Sequence, residues 1–587
     1  MCGIAAIAGI KLNTSHYKTD AMLQELRYRG PDGEGQQAFS CCWLGHRRLA
    51  IVDLKMGKQP MLDGNLAITF NGEIYNQHEL RTRLKKEGHV FKTRSDTETI
   101  LKAYRMWGNK CPKYLDGMFS FVIWDGERNE MFIARDRLGK KPLYYFFDGN
   151  TILLASEIKS LLASGALTPQ IDYKAIDNYL RLMYIPPWKS VYKNVHQIPP
   201  AHCGIFKNGR LTLKRYWTLT HKPLNISYED AKAEVHRLLR EAIKKRLATS
   251  DVEIGTFLSG GIDSTLVTLI ATKELSYPIK AFSVSYGDHD ELPFAKQVCK
   301  KTGSEHFIMR INECLTSALD EVIAYFDEPH ADTSDFPQHL ISRLASQKVK
   351  VVLSGDGADE LFLGYKWHKK TTGIKLNKNI TQKPTSDLFH ERLYSICAFS
   401  AQQREILWGS SDMTNDDILA KDSYPNTDDS IGSVTIFDLT SHLPGQILTK
   451  IDRAGMMHGL EVRSPFLDTA LIEFVFNLPY EYKVRNGEQK YILKDILSQY
   501  MPADFIHRRK QGFGAPVEQW LNNPSMKKYV FKKLDTGAQI RSIFSKKIID
   551  ECLNDFYIED HRHERAGQRL WVLLCLERWI TQLNLTL

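Results

Sequence analysis

The sequence predicts two domains of different class: an α+β domain built on antiparallel strands, then a doubly wound α/β domain with a helical C-terminal part. Three observations carry this. The first two hundred residues hold apolar runs joined by tight turns, strand and helix patterns alternate from Ser227 onward, and 587 residues exceed what one ordinary core holds. The change of pattern sets domain limits of 2–210 and 226–587.

Taken in order, "MCGIAAIAGI" is a short apolar strand whose second residue is a cysteine. Apolar residues recur at helical spacing from Thr97 to Trp107. "GMFSFVIWD" and "EMFIARD" flank the turn "GERN", and "PLYYFFDGNTILLASE" folds about its DGN, both antiparallel hairpin patterns. "QIPPAHCGIFKNGRLTLKRYW" ends this part as a further hairpin-like stretch. Next, "SYEDAKAEVHRLLREAIKKRL" starts on a Ser-x-x-Asp cap, and Ala231, Val235, Leu238, Ala242 and Ile243 mark one helical face. Strands are predicted at Val252–Leu258, Ile279–Ser285, His306–Met309 and Val349–Leu353, with a helix from Ile262 and helical segments between the others. That alternation implies a parallel sheet whose ligand crevice lies at the carboxyl ends of the strands. Residues 376–433 are polar and weakly periodic and read as an insertion or helical excursion, and the last hundred residues read as largely helical.

Composition narrows the function classes. Hydrophobic and charged fractions of 43% and 25% are those of a soluble globular chain. Ten cysteines are scattered without a CxxC pair or Cys/His metal spacing, which points to free thiols in a reducing compartment. The apolar opening has no basic flank and is too short to span a bilayer, so the expected location is cytoplasmic, with no membrane partner. The formal charge of +9 is dispersed and reads mainly as a solvated surface; it suits anionic small molecules such as nucleotides, and also RNA.

Removal of Met1, favoured by a small second residue, puts thiol and α-amine together on Cys2. With a pKa of about 7.7–8.0, that amine takes the thiol proton near neutrality, directly or through a water. A thiol attacking an amide needs an oxyanion hole, and "TFNGEIYN" offers Asn71 and Gly72; Asn-Gly after an apolar strand is equally a type I′ turn pattern. "GHRRLAIVD" offers Arg47 and Arg48 to fork onto an α-carboxylate, while Glu73 and Asp96 can meet an ammonium. "RYRGPDGEG" reads as a loop.

In the second half, "FLSGGIDST" joins a strand to a helix. Its glycines permit close backbone approach, Ser259 and Ser264 can donate hydroxyls, and the helix start offers free amides to a phosphate. The spacing and lysine of a Walker A loop are absent. "VVLSGDGADELFLGY" places Asp356, Asp359 and Glu360 at a sheet edge, where carboxylates hold Mg²⁺ against phosphate oxygens or position an attacking group; an Asp-Gly turn with a solvated acidic helix start is the alternative. Asp263 is a further Mg²⁺ candidate. "EQKYILKDIL" contributes Lys490, and "HRRKQGF" contributes Arg508, Arg509 and Lys510.

Together these segments resemble the glutamine-hydrolysing asparagine synthetase family over almost the whole chain. "MCGI", "RGPD", "HRRLAIVD", "NGEIYN" and "SDTE" fall in order, followed by "RDRLGKKPLYY", "ASEIK", "LSGGIDS", "DEPHADTSD", "LSGDGADELFLGY", "LTKIDRAGMMHGLEVRSPFLD" and "RRKQGFGAPVEQW". The resemblance implies an N-terminal-nucleophile glutaminase domain, a four-layer αββα sandwich, joined to an ATP-pyrophosphatase synthetase domain. It implies that glutamine is hydrolysed at Cys2, that ammonia crosses an internal tunnel, and that aspartate is activated as β-aspartyl-AMP. The substrates are then glutamine, aspartate and ATP, with Mg²⁺ at Asp263 and Asp359, no nucleic-acid partner, and a homodimer left open.

By matching position, Cys2 is the nucleophile and Asn71 with Gly72 forms the oxyanion hole. Arg48, Glu73 and Asp96 hold glutamine, with backbone help from Leu49, Ala50, Ile51 and Val52. Leu258, Val284, Ser354 and Gly355 line the ATP site, and Ser259, Gly260, Gly261, Asp263 and Ser264 clasp pyrophosphate. Asp356 matches the acidic residue of the acyl-adenylate and amide-forming step, and Lys490 the lysine that stabilises the charged intermediate. Asp359, Glu360 and Tyr365 are acceptor-site candidates. Two departures stand out: Asp356 replaces the Glu of many members, and "FLGY" replaces a small-residue pair, placing Leu363 near the acceptor. Three other readings stay open: an amidotransferase for another carboxylate, an RNA-modifying ATP-pyrophosphatase, and a non-enzymatic relative.

Overall fold

The structure is a computed structural model that describes the chain except residues 11, 287–290, 312–315, 369–391, 414–429, 509–514, 559–564 and 583–587. Among the described residues, the first part carries twelve strands: β1 (Gly3–Gly9), β2 (Gly33–Ala38), β3 (Cys42–Arg48), β4 (Met61–Asp63), β5 (Leu66–Ile74) and β6 (Gly117–Asp125), then β7 (Glu130–Arg135), β8 (Tyr144–Phe147), β9 (Thr151–Ala155), β10 (Val195–Gln197), β11 (His202–Lys207) and β12 (Arg210–Arg215). They form two antiparallel six-stranded sheets, in the orders β10-β8-β9-β1-β3-β2 and β12-β11-β7-β6-β5-β4.

The pleat decides which side chains go where. Along β1, Ile4, Ala6 and Ala8 point between the sheets, where they meet Leu44, Val122, Ile133 and Leu154. Ala5 and Ile7 point outward onto Met22, Leu23, Ile158 and Leu161, which belong to the helices Thr19–Glu25 and Ile158–Ala163. On the far side, Ile68, Phe70 and Phe121 take Leu80, Leu84, Ile100 and Leu101 from the helices Gln77–Lys86 and Asp96–Trp107. Four layers result, helix, sheet, sheet, helix, as the αββα expectation requires. Both predicted hairpins form, β6 with β7 and β8 with β9, and β11 with β12 makes the third.

The second part opens on the helix Tyr228–Ala248, whose predicted cap Ser227 accepts the Asp230 amide at 3.2 Å. Five parallel strands follow: β13 (Ile254–Phe257), β14 (Lys280–Ser285), β15 (Glu305–Arg310), β16 (Val351–Leu353) and β17 (Glu461–Arg463), in the order β15-β14-β13-β16-β17. The chain order reverses at β13, so the loops after β13 and β16 open into the same crevice, where α/β folds bind ligands. Strand β17 was not among the expected elements. It is three residues long, two of them charged, and lacks the apolar run that marks a buried strand. The described part of 376–433 includes a capped helix, Ala401–Trp408; residues 376–391 and 414–429 lie outside the described residues. Helices such as Lys546–Tyr557 and Ala566–Gln582 make the C-terminal part helical, as expected. Among the described residues no helix is long and apolar enough to cross a membrane, and nine cysteines are free thiols.

Candidate active site

Two polar centres emerge. The first surrounds Cys2 at the start of β1, which is buried, with its amide donating to Asn71 Oδ1 at 3.0 Å and its Sγ 4.0 Å from the Leu49 carbonyl. Asn71 and Gly72 are not a turn. They lie inside β5, paired with Ser120 and Phe119 of β6. Gly72 has φ +151°, and a Cβ there would fall 2.0 Å from the Met118 carbonyl oxygen, so the strand closes only on glycine. Asn71 Nδ2 is buried and has no hydrogen-bond partner among the described residues. An unmade buried donor costs about 1–3 kcal/mol, and an oxyanion arriving beside Cys2 recovers it.

Glu73 and Asp96 are buried with their carboxyls against each other, and burial holds both above the usual carboxylate range, Asp96 at about 6. Asp96 also accepts the Ile74 amide at 3.1 Å, and Glu73 accepts Arg463 of β17 at 3.2 Å. Arg48 is half-buried and close enough to act electrostatically on the Cys2 thiol; it donates to the carbonyls of Val52, Asp53 and Leu54. Of the backbone stretch expected to help, Leu49 faces Cys2, the Ala50 amide donates to Asp32, and the Ile51 carbonyl accepts Asp251. The Met1 ammonium is buried against Glu461 of β17 at 2.7 Å. A carboxylate from the second part of the chain thus faces the position from which the Cys2 amine emerges.

The second centre occupies the crevice. Ser259 Oγ accepts the Gly261 amide at 3.1 Å and meets Ser264 Oγ at 3.0 Å, which curls the loop over the start of the helix Ile262–Glu274. Gly260 has φ +88°, and a Cβ there would strike Glu291 O and Ala295 N at 2.8 Å. Gly355 packs its Cα face on Asp263 and Ser264, so the two strand-end loops touch. Leu258 is buried and its amide donates to Phe282 of β14 at 2.8 Å; Ser354 donates its amide to Arg463 at 2.9 Å. Val284 sits on β14 opposite Met309 of β15 and is half-buried against two apolar clusters.

Lys490 ties the centre together. Its ammonium lies 2.5 Å from Asp263 Oδ2 and 2.7 Å from Asp359 Oδ1, and the two carboxylates hold its pKa above the usual lysine value despite burial. Asp263 Oδ1 is buried with no hydrogen-bond partner among the described residues. Two converging carboxylates with an oxygen to spare fit a hard divalent cation. Among the described residues no third His, Cys, Asp or Glu joins them. Glu360, pushed up to about 7 by burial, accepts the Tyr365 hydroxyl at 2.6 Å. Leu363 packs its side chain with Ile431 and Val484, one residue before Gly364. The Asp-Gly alternative is correct in form, since Gly357 turns at φ +93° into a one-turn helix, but Glu360 there is buried rather than solvated.

Gly364 is the tightest point: a Cβ would sit 2.0 Å from both Asp359 Oδ1 and Lys490 Cε. Gly364→Ala is therefore expected to lower turnover at this centre by about 10²-fold through displacement of Lys490, with the first centre's basal activity unchanged. Separate assays of the two half-reactions check this.

Sequence reasoning named Arg508 without a partner and passed over Lys450 and Arg29 as site groups. Arg508 grips the loop from outside, with Glu291 at 2.8 Å and the Gly260 carbonyl at 2.5 Å; Arg509 and Lys510 lie outside the described residues. Buried Lys450 donates to Asp332 at 3.1 Å and Ser334 at 2.7 Å, and its charge partly offsets the upward push of burial on Asp356. Fully buried Arg29, expected in a loop, donates to the Cys2 carbonyl at 3.1 Å. Lys450 and its partners lie in "LTKIDRAGMMHG" and "DEPHADTSD", and Arg29 in "RGPD", with no local pattern to mark them.

Comparison with known proteins bears on both centres. The model of a glutamine amidotransferase domain matches residues 1–217, and the asparagine synthase model matches residues 234–581. The chain belongs to the asparagine synthase family. Among relatives of this asparagine synthase family member is "Asparagine synthetase [glutamine-hydrolyzing] 1" of Bacillus subtilis (strain 168), 31% identical over 599 residues and covering 95% of this chain and 92% of that one. A "Putative asparagine synthetase [glutamine-hydrolyzing]" of Mycobacterium tuberculosis (strain ATCC 25618 / H37Rv) is 31% identical, covering 94% of this chain and 92% of its own. "Amidase chyE" of Penicillium rubens is 28% identical over 92% of this chain and 93% of its own. As a family member the chain is a glutamine-hydrolysing, ATP-dependent amidotransferase.

Proposed function

We propose that this chain makes asparagine from aspartate, with glutamine as nitrogen donor, through a β-aspartyl-AMP intermediate. The observation that carries the reading is the joining of two centres, a thiol beside an unpartnered Asn71 amide and a lysine-bridged carboxylate pair beside the loop from Ser259 to Ser264. The division of labour falls at 2–210 for glutamine hydrolysis and 226–587 for synthesis.

With Met1 removed, the Cys2 amine accepts the thiol proton and Sγ attacks the glutamine amide carbon. Asn71 Nδ2 and the Gly72 amide receive the oxyanion, the C–N bond breaks to release ammonia, and water hydrolyses the thioester to glutamate. Glu73 and Asp96 hold the substrate ammonium and Arg48 its carboxylate. In the other centre the acceptor carboxylate attacks the α-phosphorus of ATP and pyrophosphate departs. The helix-start amides of Ile262 to Ser264 and the charge of Lys490 hold the anion that grows there. Mg²⁺ held by Asp263 and Asp359 would neutralise phosphate charge in the same place. Asp356, held up by burial, accepts a proton as ammonia adds to the acyl carbon.

Ammonia needs a dry route, since water converts it to ammonium. One apolar cluster contains Met1, Leu49, Ile51, Met118 and Leu138 from the first part and Leu353, Leu443 and Leu467 from the second. That shared cluster supports an internal passage between the centres. Mass analysis of products from glutamine, ATP, Mg²⁺ and aspartate tests the reading. Equal amounts of asparagine, glutamate, AMP and pyrophosphate are expected. AMP formed only with another carboxylate would move the acceptor.

The raised carboxyls also predict a pH profile. A carboxyl with pKa about 6 is neutral below that value and loses its grip on an ammonium as pH falls. Below pH 6 this carboxyl should therefore add about a further tenfold loss per unit in kcat/KM for glutamine to the limb set by the Cys2 amine, and Asp96→Asn should remove that added steepness. Steady-state kinetics against pH decides.

A further inference from the structure

One helical run connects the two centres. It comprises the α-helix Ser430–Phe437, a π-helix Asp438–Ile447 and the α-helix Leu448–Met456. Asp438, at the first π residue, is fully buried and accepts His368 at 2.9 Å and Arg392 at 2.6 Å. One turn on, the His442 ring stands edge-on to Tyr365 at 5.9 Å and to Trp367 at 6.0 Å, which stack on each other at 4.0 Å. Tyr365 is the residue hydrogen-bonded to Glu360, so the π segment forms the wall behind the acceptor candidates.

The other end reaches the nucleophile. Lys450 faces Asp332 and Ser334 beside Asp356, whereas Asp452, two residues later, points across into the first part of the chain. Asp452 accepts Arg29 through both oxygens, at 2.8 and 3.1 Å, and Lys141 at 3.2 Å. The same Arg29 donates its Nε to the carbonyl of Cys2 and an Nη to Glu157 at 2.8 Å. Arg453 closes the junction with Glu157 at 3.0 Å and Asp327 at 3.1 Å. Two buried hydrogen-bonded steps thus separate the helix backbone of the second part from the nucleophile's own peptide.

Long π segments are rare and occur at functional sites. Each π turn holds an extra residue, so such a helix can take up or release one residue's rise, about 1.5 Å, without unfolding. A buried bidentate pair transmits that displacement rather than absorbing it, because breaking the pair leaves charges uncompensated.

We propose that the 431–456 helical run couples the two centres: filling of the acceptor site, felt at the π segment, is passed through Asp452 and Arg29 to the peptide that carries the Cys2 thiol. Asp452 is then a positioning residue for glutamine hydrolysis although it belongs to the synthetase part. This rests on the functional reading above.

The test uses the full-length chain and its Asp452→Ala and Asp452→Asn variants. Glutamine hydrolysis is measured alone and with ATP, Mg²⁺ and aspartate, alongside synthesis from ammonium. In the parent, ATP and aspartate are expected to raise the kcat of glutamine hydrolysis. Asp452→Ala is expected to lose that rise and about tenfold in kcat, with the KM for glutamine and ammonium-dependent synthesis within about twofold. Asp452→Asn keeps an acceptor oxygen for Arg29 and is expected to recover part of both; should the alanine variant not fold, it carries the test by an intermediate loss. Unchanged stimulation in the variants, or a parallel fall of both half-reactions, would overturn the coupling. A parent chain inert in both half-reactions would overturn the functional reading, and the coupling with it.

Discussion

Cys2→Ala is expected to abolish glutamine-dependent synthesis, by about 10⁴-fold or more, and to leave ammonium-dependent synthesis within about twofold of the parent. The large loss follows because nothing nearby can replace the thiol. Cys42 and Cys111, which are also buried, are held well above the usual thiol range by burial. The sparing of the second half-reaction follows from geometry, since the crevice loops, Lys490 and Asp356 hang on β13, β16 and the 491–498 helix rather than on β1. Initial-rate asparagine formation with each nitrogen source measures both arms. The same substitution removes no buried charge and only a small side chain, so folding is not the readout.

Lys490→Ala is the converse. Synthesis from either glutamine or ammonium is expected to fall by about 10²–10³-fold, the range for removing a charge that stabilises a developing anion in a dry site. Glutamine hydrolysis measured without ATP and aspartate should remain within about twofold. Loss of the ammonium also leaves Asp263 and Asp359 without the cation they share, so the crevice repels phosphate and ATP binding in the variant should weaken as well as turnover. Pyrophosphate release measured with saturating ammonium gives the rate, and its ATP dependence gives the binding loss.

How much of this was readable in the chain depends on distance along it. The apolar run over residues 4–8, the cap at Ser227 and the glycines of the "SGG" loop are local signals, and all three fold as read, into a strand, an N-cap and a close backbone approach. Asn71-Gly72 shows the limit of local reading. The dipeptide favours a turn, yet the φ of +151° at Gly72 fits a strand pressed against Met118, and the neighbouring strand decides. Strand β17 was hidden because Glu461 and Arg463 neutralise each other and bind Met1, Glu73 and Ser354 inside the protein, which no run of apolar residues announces. Arg29 and Asp452 are 423 positions apart. Each alone looks like a solvated charge, and only the packing of one domain on the other makes them partners.

Feeding the chain amide-¹⁵N-labelled glutamine with ATP, Mg²⁺ and aspartate, in the presence of unlabelled ammonium, tests the central claim most directly. If glutamine's nitrogen passes inside the protein from Cys2 to the activated carboxylate, the product amide is predominantly ¹⁵N at low external ammonium and dilutes less than the bulk ratio demands. A label that dilutes in step with the bulk ammonium pool, or a labelled amide formed equally well by Cys2→Ala, contradicts it.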